Sequence, residues 1–176
     1  MKIIIHFISV ALSFFSDPIT ISLPRESSEY LLSHMLEVTV PYIPNEYKNT
    51  IFHAAKKYDI PIHILANTIT SEDFLWREKG KFGPQYNGSY DLGLVHVNSY
   101  YLSWFQQKFW KFDPFNPHEA IYFAAAYLDW LRLFSCNWEG RVVKYKTGPN
   151  RSKKDIPGWI VKSAKQVCSK TYYGVY

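Results

Sequence analysis

Apolar residues recur at three- and four-residue spacing along most of the chain, a period that predicts helices. Tyr47, Ile51, Ala54, Ala55 and Tyr58 keep it from Pro44 until Asp59-Ile-Pro61 breaks it, with Asn45 as the candidate N-cap. Ile62, Leu65, Ile69 and Trp76 carry it through a second helix, Pro61 to Trp76. Gly80, Gly83, Pro84, Asn87 and Gly88 then mark a loop. Asn116-Pro-His-Glu119 combines an N-cap, a proline in the first turn and an acid three residues after the cap, and it opens a helix expected to reach about Phe134. Along that helix Tyr127, Leu128, Leu131 and Phe134 are the expected core positions, and Ala124, Ala125 and Ala126 allow another helix to approach closely. Trp138 to Tyr145 predicts a short helix and Pro157 to Cys168 the last one. No strand-like alternation of any length is present, so the fold class is mostly α.

One residue disturbs the pattern chemically. Glu72 lies on the same apolar stripe as Ile62, Leu65, Ile69 and Trp76. A carboxyl group there loses hydration, which disfavours its charged form and is expected to raise its pKa toward the range of a general acid. Asp73 lies about a hundred degrees round the same helix and is expected to be wetter and more acidic. The alternative is that Glu72 only ends the stripe near a loop and pairs with a Lys or Arg.

The first residues change the expected compartment. Met1-Lys-Ile-Ile-Ile-His-Phe-Ile-Ser-Val-Ala-Leu-Ser13 has one Lys, an apolar run and small residues near a plausible cleavage point, the pattern of a secretory signal peptide over 1–16. The apolar run is short for a membrane span, although an uncleaved anchor is the competing reading. An N-terminal extension over 17–43, with a short helix at Ser28 to Glu37, then precedes one domain over 44–176. Hydrophobic residues make up 47% of the 176, enough for a packed core and against a disordered chain.

Export would place Cys136 and Cys168 where disulfides persist. A bond between them would close a loop of about 33 residues and stabilise by roughly 3 to 4 kcal/mol, while two buried free thiols are the equal alternative. No His-x-x-x-His or Cys-x-x-Cys spacing offers a zinc site. The net charge of +5 gathers toward the end of the chain in Lys144, Lys146, Arg151, Lys153, Lys154, Lys162, Lys165 and Lys170. A basic face suits an anionic polymer or surface, whether peptidoglycan with its peptide carboxylates, nucleic acid or an acidic membrane; export argues against nucleic acid, and a solvated helix face is the plainest alternative.

Downstream of Glu72 come Gly88-Ser-Tyr-Asp-Leu-Gly-Leu-Val-His-Val-Asn-Ser99, then Asp113-Pro-Phe115 with the helix Ala120 to Phe134, then Tyr145-Lys-Thr-Gly-Pro149. This order resembles the lytic transglycosylases of the SLT type, whose domain looks like a goose-type lysozyme. In that family a helix ending in Glu-Ser precedes a Gly-Leu-Met-Gln-(Ile/Leu)-Asn segment, a long Ala-rich helix and a Tyr-Asn-Ala-Gly motif. The resemblance spans roughly Tyr47 to Trp159 and is closest to small periplasmic members that accompany secretion and conjugation machines. Three departures fall at substrate-contacting positions: Asp73 for Ser, His96 for Gln, and Lys146-Thr147 for Asn-Ala.

The resemblance implies a single lysozyme-like helical domain that cuts the β-1,4 bond between N-acetylmuramic acid and N-acetylglucosamine, needs no cofactor and leaves a 1,6-anhydro product. Glu72 would be the general acid and base, with Tyr145 hydrogen-bonding it or the reacting sugar. His96, Asn98, Tyr90, Asp73 and Gly148 would face the glycan or shape its groove. The alternative for His96 is a satisfied polar residue at a helix start, and for Asn98 an N-cap of the next helix. The implied setting is the periplasm or cell envelope, as a monomer on peptidoglycan strands beside a secretion or motility apparatus. A hydrolytic lysozyme, with Asp73 or Asp91 placing water, and a non-catalytic glycan-binding or assembly protein are the alternatives.

Overall fold

The computed structural model describes residues 43–169 other than Phe74 and Tyr86. Among these, six α-helices run in the order α1 (Asn45–Lys57), α2 (Ile62–Glu72), α3 (Leu102–Lys108), α4 (Pro117–Trp130), α5 (Trp138–Thr147) and α6 (Gly158–Ser169). Between α2 and α3 lie β1 (Lys81–Phe82), β2 (Asp91–Leu92) and β3 (Val97–Asn98). The expected signal peptide over 1–16, and all of the expected extension except Ile43, lie outside the described residues.

The chain is mostly helical, as its periodicity predicts. The three-stranded antiparallel sheet, ordered β1-β2-β3, departs from the expectation of no strands. Each strand is two residues long, a single period of side-chain alternation, so no pattern can register in the sequence.

The apolar stripes explain the packing. Ile51, Ala54 and Ala55 of α1, Leu65 and Ile69 of α2, and Ile121, Ala124, Ala125 and Leu128 of α4 are fully buried. Burial of each large aliphatic side chain contributes about 1.5–3 kcal/mol. α4 packs on α1, α2 and α5, and its three consecutive alanines are buried along it. α2 is central, touching α1, α4 and α6, and six successive residues from Ile64 to Ile69 are buried. Its polar side chains are satisfied locally. Thr68 Oγ1 donates to the Ile64 carbonyl at 2.7 Å and Ser71 Oγ to that of Thr68 at 2.7 Å. Asn67 Nδ2 donates to the Val167 carbonyl at 3.2 Å, tying α2 to α6.

Helix ends refine the expectations. Asn116 Oδ1 accepts from the backbone N–H of His118 and Glu119, and the Glu119 carboxylate accepts from the Asp113 N–H and from Asn116 Nδ2, so the predicted start of α4 is realised. Asn45 is not a cap: it is already helical, Pro44 holds the cap position, and a side chain caps only from the non-helical residue before the helix. α4 ends at Trp130 and passes into a tighter turn, Leu131–Leu133. Leu131 is therefore buried, whereas Phe134 is 39% exposed instead of filling the core. Phe134 packs against the Trp130 ring, 4.8 Å between centroids.

Candidate active site

Glu72 is the last residue of α2, and its neighbour explains why the helix stops there. Asp73 turns to an extended conformation, φ −135° and ψ 100°. Its Oδ1 accepts from the Leu75 N–H and its Oδ2 from the Arg77 N–H, both at 3.0 Å, and Arg77 Nε lies 3.2 Å from each oxygen. The carboxylate folds back on the loop that leaves the helix and satisfies donors that would otherwise be orphaned. Asp73 is 1% exposed and the Glu72 side chain 13%, so the expectation of a wetter Asp73 is reversed. The reason is that the helix ends between the two residues, and angular position on a helix no longer applies to the second. Both Asp73 oxygens are engaged by the loop that leaves α2, so Asp73 shapes that loop.

Trp76 is likewise outside α2. It is buried through a left-handed backbone, φ 54°, and stacks on Tyr47 with ring centroids 5.7 Å apart. Its burial is thus independent of the helical stripe that predicted it.

The second component is the turn joining β2 and β3, Gly93 to His96. Leu94 and Val95 point into the core, fully and almost fully buried. Gly93 has φ 66°, and a Cβ there would sit 1.9 Å from the Pro114 carbonyl oxygen, so only glycine fits. The turn ends at His96, itself left-handed at φ 53°. The imidazole lies against the Phe82 ring at 4.3 Å and presents Nδ1 to Glu72 Oε2 at 3.8 Å, a charge contact when the ring is protonated. Nε2 is buried with no hydrogen-bond partner among the described residues. His96 thus sits on a β-turn beside Glu72, away from any helix start.

The third component is the C-terminal end of α5. Tyr145 donates its hydroxyl to the Val95 carbonyl at 3.2 Å, and its ring packs on Tyr127 at 5.4 Å. The phenol therefore holds the β2–β3 turn instead of hydrogen-bonding Glu72. Burial first, then the Glu72 carboxylate and Tyr127, push its pKa well above the ordinary value. Lys146, the next residue, donates from Nζ to Glu72 Oε1. Glu72 thus pairs with a lysine, as the alternative reading of the stripe had it. Lys146 enters the sequence reading as one of the basic C-terminal residues and as a departure from a motif, not as a partner of Glu72; the signal was a lysine beside Tyr145 where that motif has asparagine.

The remaining candidates serve the frame. Asn98 Nδ2 donates to Ser89 Oγ and Asp91 Oδ1, both at 3.0 Å, while its Oδ1 accepts from the Tyr100 N–H at 3.1 Å. That hydrogen bond closes a turn before α3, whose cap position is Tyr101, so Asn98 is not the N-cap. The Tyr90 ring carries Lys81 Nζ 4.0 Å from its centroid, and Gly148 ends α5 at φ 86°. Cys136 and Cys168 are both free thiols. Among the described residues no group of three or more His, Cys, Asp or Glu side chains could hold a metal, and no helix is long and apolar enough to cross a membrane. A cavity of about 330 Å³ lined by Tyr58, Phe109, Trp110 and Trp130 contains none of these candidates.

The structure thus gathers Glu72, His96 and Lys146 into one contact set, held by Tyr145 through the Val95 carbonyl. Chemically it presents a carboxylate between an imidazole and an ammonium, at the junction of a buried helix and a small sheet. Comparison of the chain with protein-family models, with curated proteins and with solved structures finds no match.

Proposed function

We propose that this chain is an exported peptidoglycan lytic transglycosylase with a lysozyme-like domain, acting in the periplasm or cell envelope with Glu72 as general acid and base. One observation carries the reading. Three motifs separated by up to 74 positions in the chain meet at a single carboxylate: Glu72 from the helix end, His96 from the turn segment and Lys146 beside the motif tyrosine. Such convergence of spaced motifs on one titratable group is what an active site requires.

In this mechanism the Glu72 carboxyl gives its proton to the glycosidic oxygen as the C1–O bond breaks. The carboxylate then takes the proton of the sugar's own 6-hydroxyl, whose oxygen closes on C1 and leaves the 1,6-anhydro ring. Glu72 is regenerated protonated, and no water or cofactor is consumed. The hydrolytic variant is less favoured, because its two candidate water-placing carboxylates are occupied. Asp73 is bound by its loop, and Asp91 accepts from Gln85 Nε2 at 2.7 Å and Asn98 Nδ2 at 3.0 Å.

A second reading is supported by the Lys146 contact: an ammonium resting on Glu72 suits a glycan-binding protein that no longer cuts. Mass spectrometry of soluble products from purified peptidoglycan, wild type beside Glu72→Gln, separates the readings. Anhydro-muropeptides from the wild type alone are expected. Reducing-end products would establish a lysozyme, and sacculus binding without products from either protein would establish the binding protein.

A further inference from the structure

Lys146 occupies the oxygen that the proposed reaction needs. Its ammonium has three N–H donors, and its one recorded partner among the described residues is Glu72 Oε1. The Lys146 side chain is only 10% exposed, so the contact is largely sheltered from water. A carboxyl oxygen engaged by an ammonium has no proton to give to a glycosidic oxygen. If Glu72 is the acid, Lys146 must find another anion before the bond is cut.

Among the described residues Lys146 has no carboxylate partner besides Glu72. Beside the pair stand His96 from the β2–β3 turn and Tyr145 on α5 itself, and Tyr145 is committed to Val95. Lys144, two residues earlier on α5, is committed to the Pro149 carbonyl at 2.6 Å. The segment after α5 adds exposed Arg151, Lys153 and Lys154, a field that draws an anionic chain toward this end of the helix. A substrate that carries its own carboxylate would bring the replacement anion with it. Muramic acid carries a lactyl group on C3, two ring bonds from the carbon where cleavage occurs, and that group ends in a carboxylate or in a peptide bearing carboxylates. The flexible four-carbon stem of lysine lets its ammonium move from one carboxylate to another nearby.

We propose that Lys146 is a specificity-determining residue that restricts cleavage to glycan carrying a carboxylate near the scissile bond. At rest the ammonium covers Glu72; a substrate carboxylate takes the ammonium and frees Glu72 to work as the acid. A neutral glycan leaves the pair closed. The inference rests on the transglycosylase reading of Glu72, and the two can be separated.

The test uses glycan strands stripped of peptides by an amidase, so that every muramic acid bears a free lactyl carboxylate. A matched batch is neutralised by coupling methylamine to those carboxylates. Release of 1,6-anhydro ends is followed on both by mass spectrometry. The wild type is expected to cut the acidic strands at least about tenfold faster than the neutralised ones, a discrimination within reach of one charge contact. Lys146→Met is expected to cut both at equal rates, and Lys146→Arg to keep the preference. Equal rates from the wild type, or a preference that persists in Lys146→Met, would overturn the proposal while leaving the transglycosylase reading standing. No anhydro ends from either strand would overturn both. Should Lys146→Met fail to fold, Lys146→Gln takes its place with the same expectation, and a preference that persists in it would overturn the proposal.

Discussion

Replacing Gly93 by alanine tests the turn that carries His96 and the Val95 carbonyl. Two costs are separable. An L-residue in the left-handed region, here φ 66°, costs about 1–2 kcal/mol. The new Cβ would also lie 1.9 Å from the Pro114 carbonyl oxygen, so the two backbones must part by about 1.1 Å to reach the 3.0 Å that real Cβ contacts respect. Overpacking of that kind adds about 1–3 kcal/mol. The sum, roughly 2–5 kcal/mol, is a large part of the stability of an ordinary domain. At about 3 °C per kcal/mol it lowers Tm by roughly 6–15 °C. Gly88→Ala is the control, because Gly88 has φ 77° but a Cβ there meets nothing within 4 Å. It is expected to lose only the conformational part, about 1–2 kcal/mol. Urea unfolding of both variants and the wild type, followed by circular dichroism, measures the difference. Equal losses in the two variants would refute the close approach of Gly93 to Pro114, and with it the account of how the turn is held against the rest of the fold.

Other outcomes follow from the same contacts. Asp73→Ala removes the acceptor for the Leu75 and Arg77 N–H groups and is expected to cost about 2–4 kcal/mol in chemical denaturation, with Asp73→Asn recovering part of it through the remaining oxygen. Burial raises the Tyr145 and Tyr127 phenols, so above about pH 10 the unfolded chain loses protons that the folded chain keeps. Stability should then fall by about 1.4 kcal/mol per pH unit for each tyrosine, from the ordinary tyrosine pKa upward, and Tyr145→Phe should remove about half of that slope in urea titrations between pH 9 and 11. The Cys168 thiol is pushed up to about 11 by burial and by Glu139, while Cys136 is exposed. Iodoacetamide at pH 8 should therefore label Cys136 first, because roughly one part in a thousand of Cys168 is thiolate there; equal labelling rates would contradict its placement on α6. Glu72→Gln keeps an oxygen for Lys146 but removes the counter-charge of a sheltered ammonium, and it is expected to cost about 1.5–3 kcal/mol in urea unfolding, so its folded state is verified by circular dichroism before products are compared.

The longer helices α1, α2, α4 and α6 are legible because each buries a stripe, and a stripe leaves a period that survives in the order of residues, whereas the seven-residue α3 buries only Phe105 and leaves none. Tyr47, Ile51, Ala54 and Ala55 announce α1, and Asn116 with Glu119 announces the start of α4, since both signals act within one turn of chain. Glu72, His96 and Tyr145 could be picked out as chemically awkward or motif-bearing residues on the same local grounds. What they touch could not. Asp73 was misplaced because a helix end is decided by where a carboxylate finds donors, and its donors are the backbone N–H groups of Leu75 and Arg77 in the loop. Tyr145 turned from Glu72 to the Val95 carbonyl because that turn is pressed into the core by Leu94 and Val95. Lys146 came to Glu72 across 74 positions of chain, a contact set by the packing of α5 against α6 and α4 and of α2 against both. Local periodicity and capping belong to the sequence alone; the pairing of charges distant in the chain belongs to the tertiary structure, because only packing decides which side chains share a site.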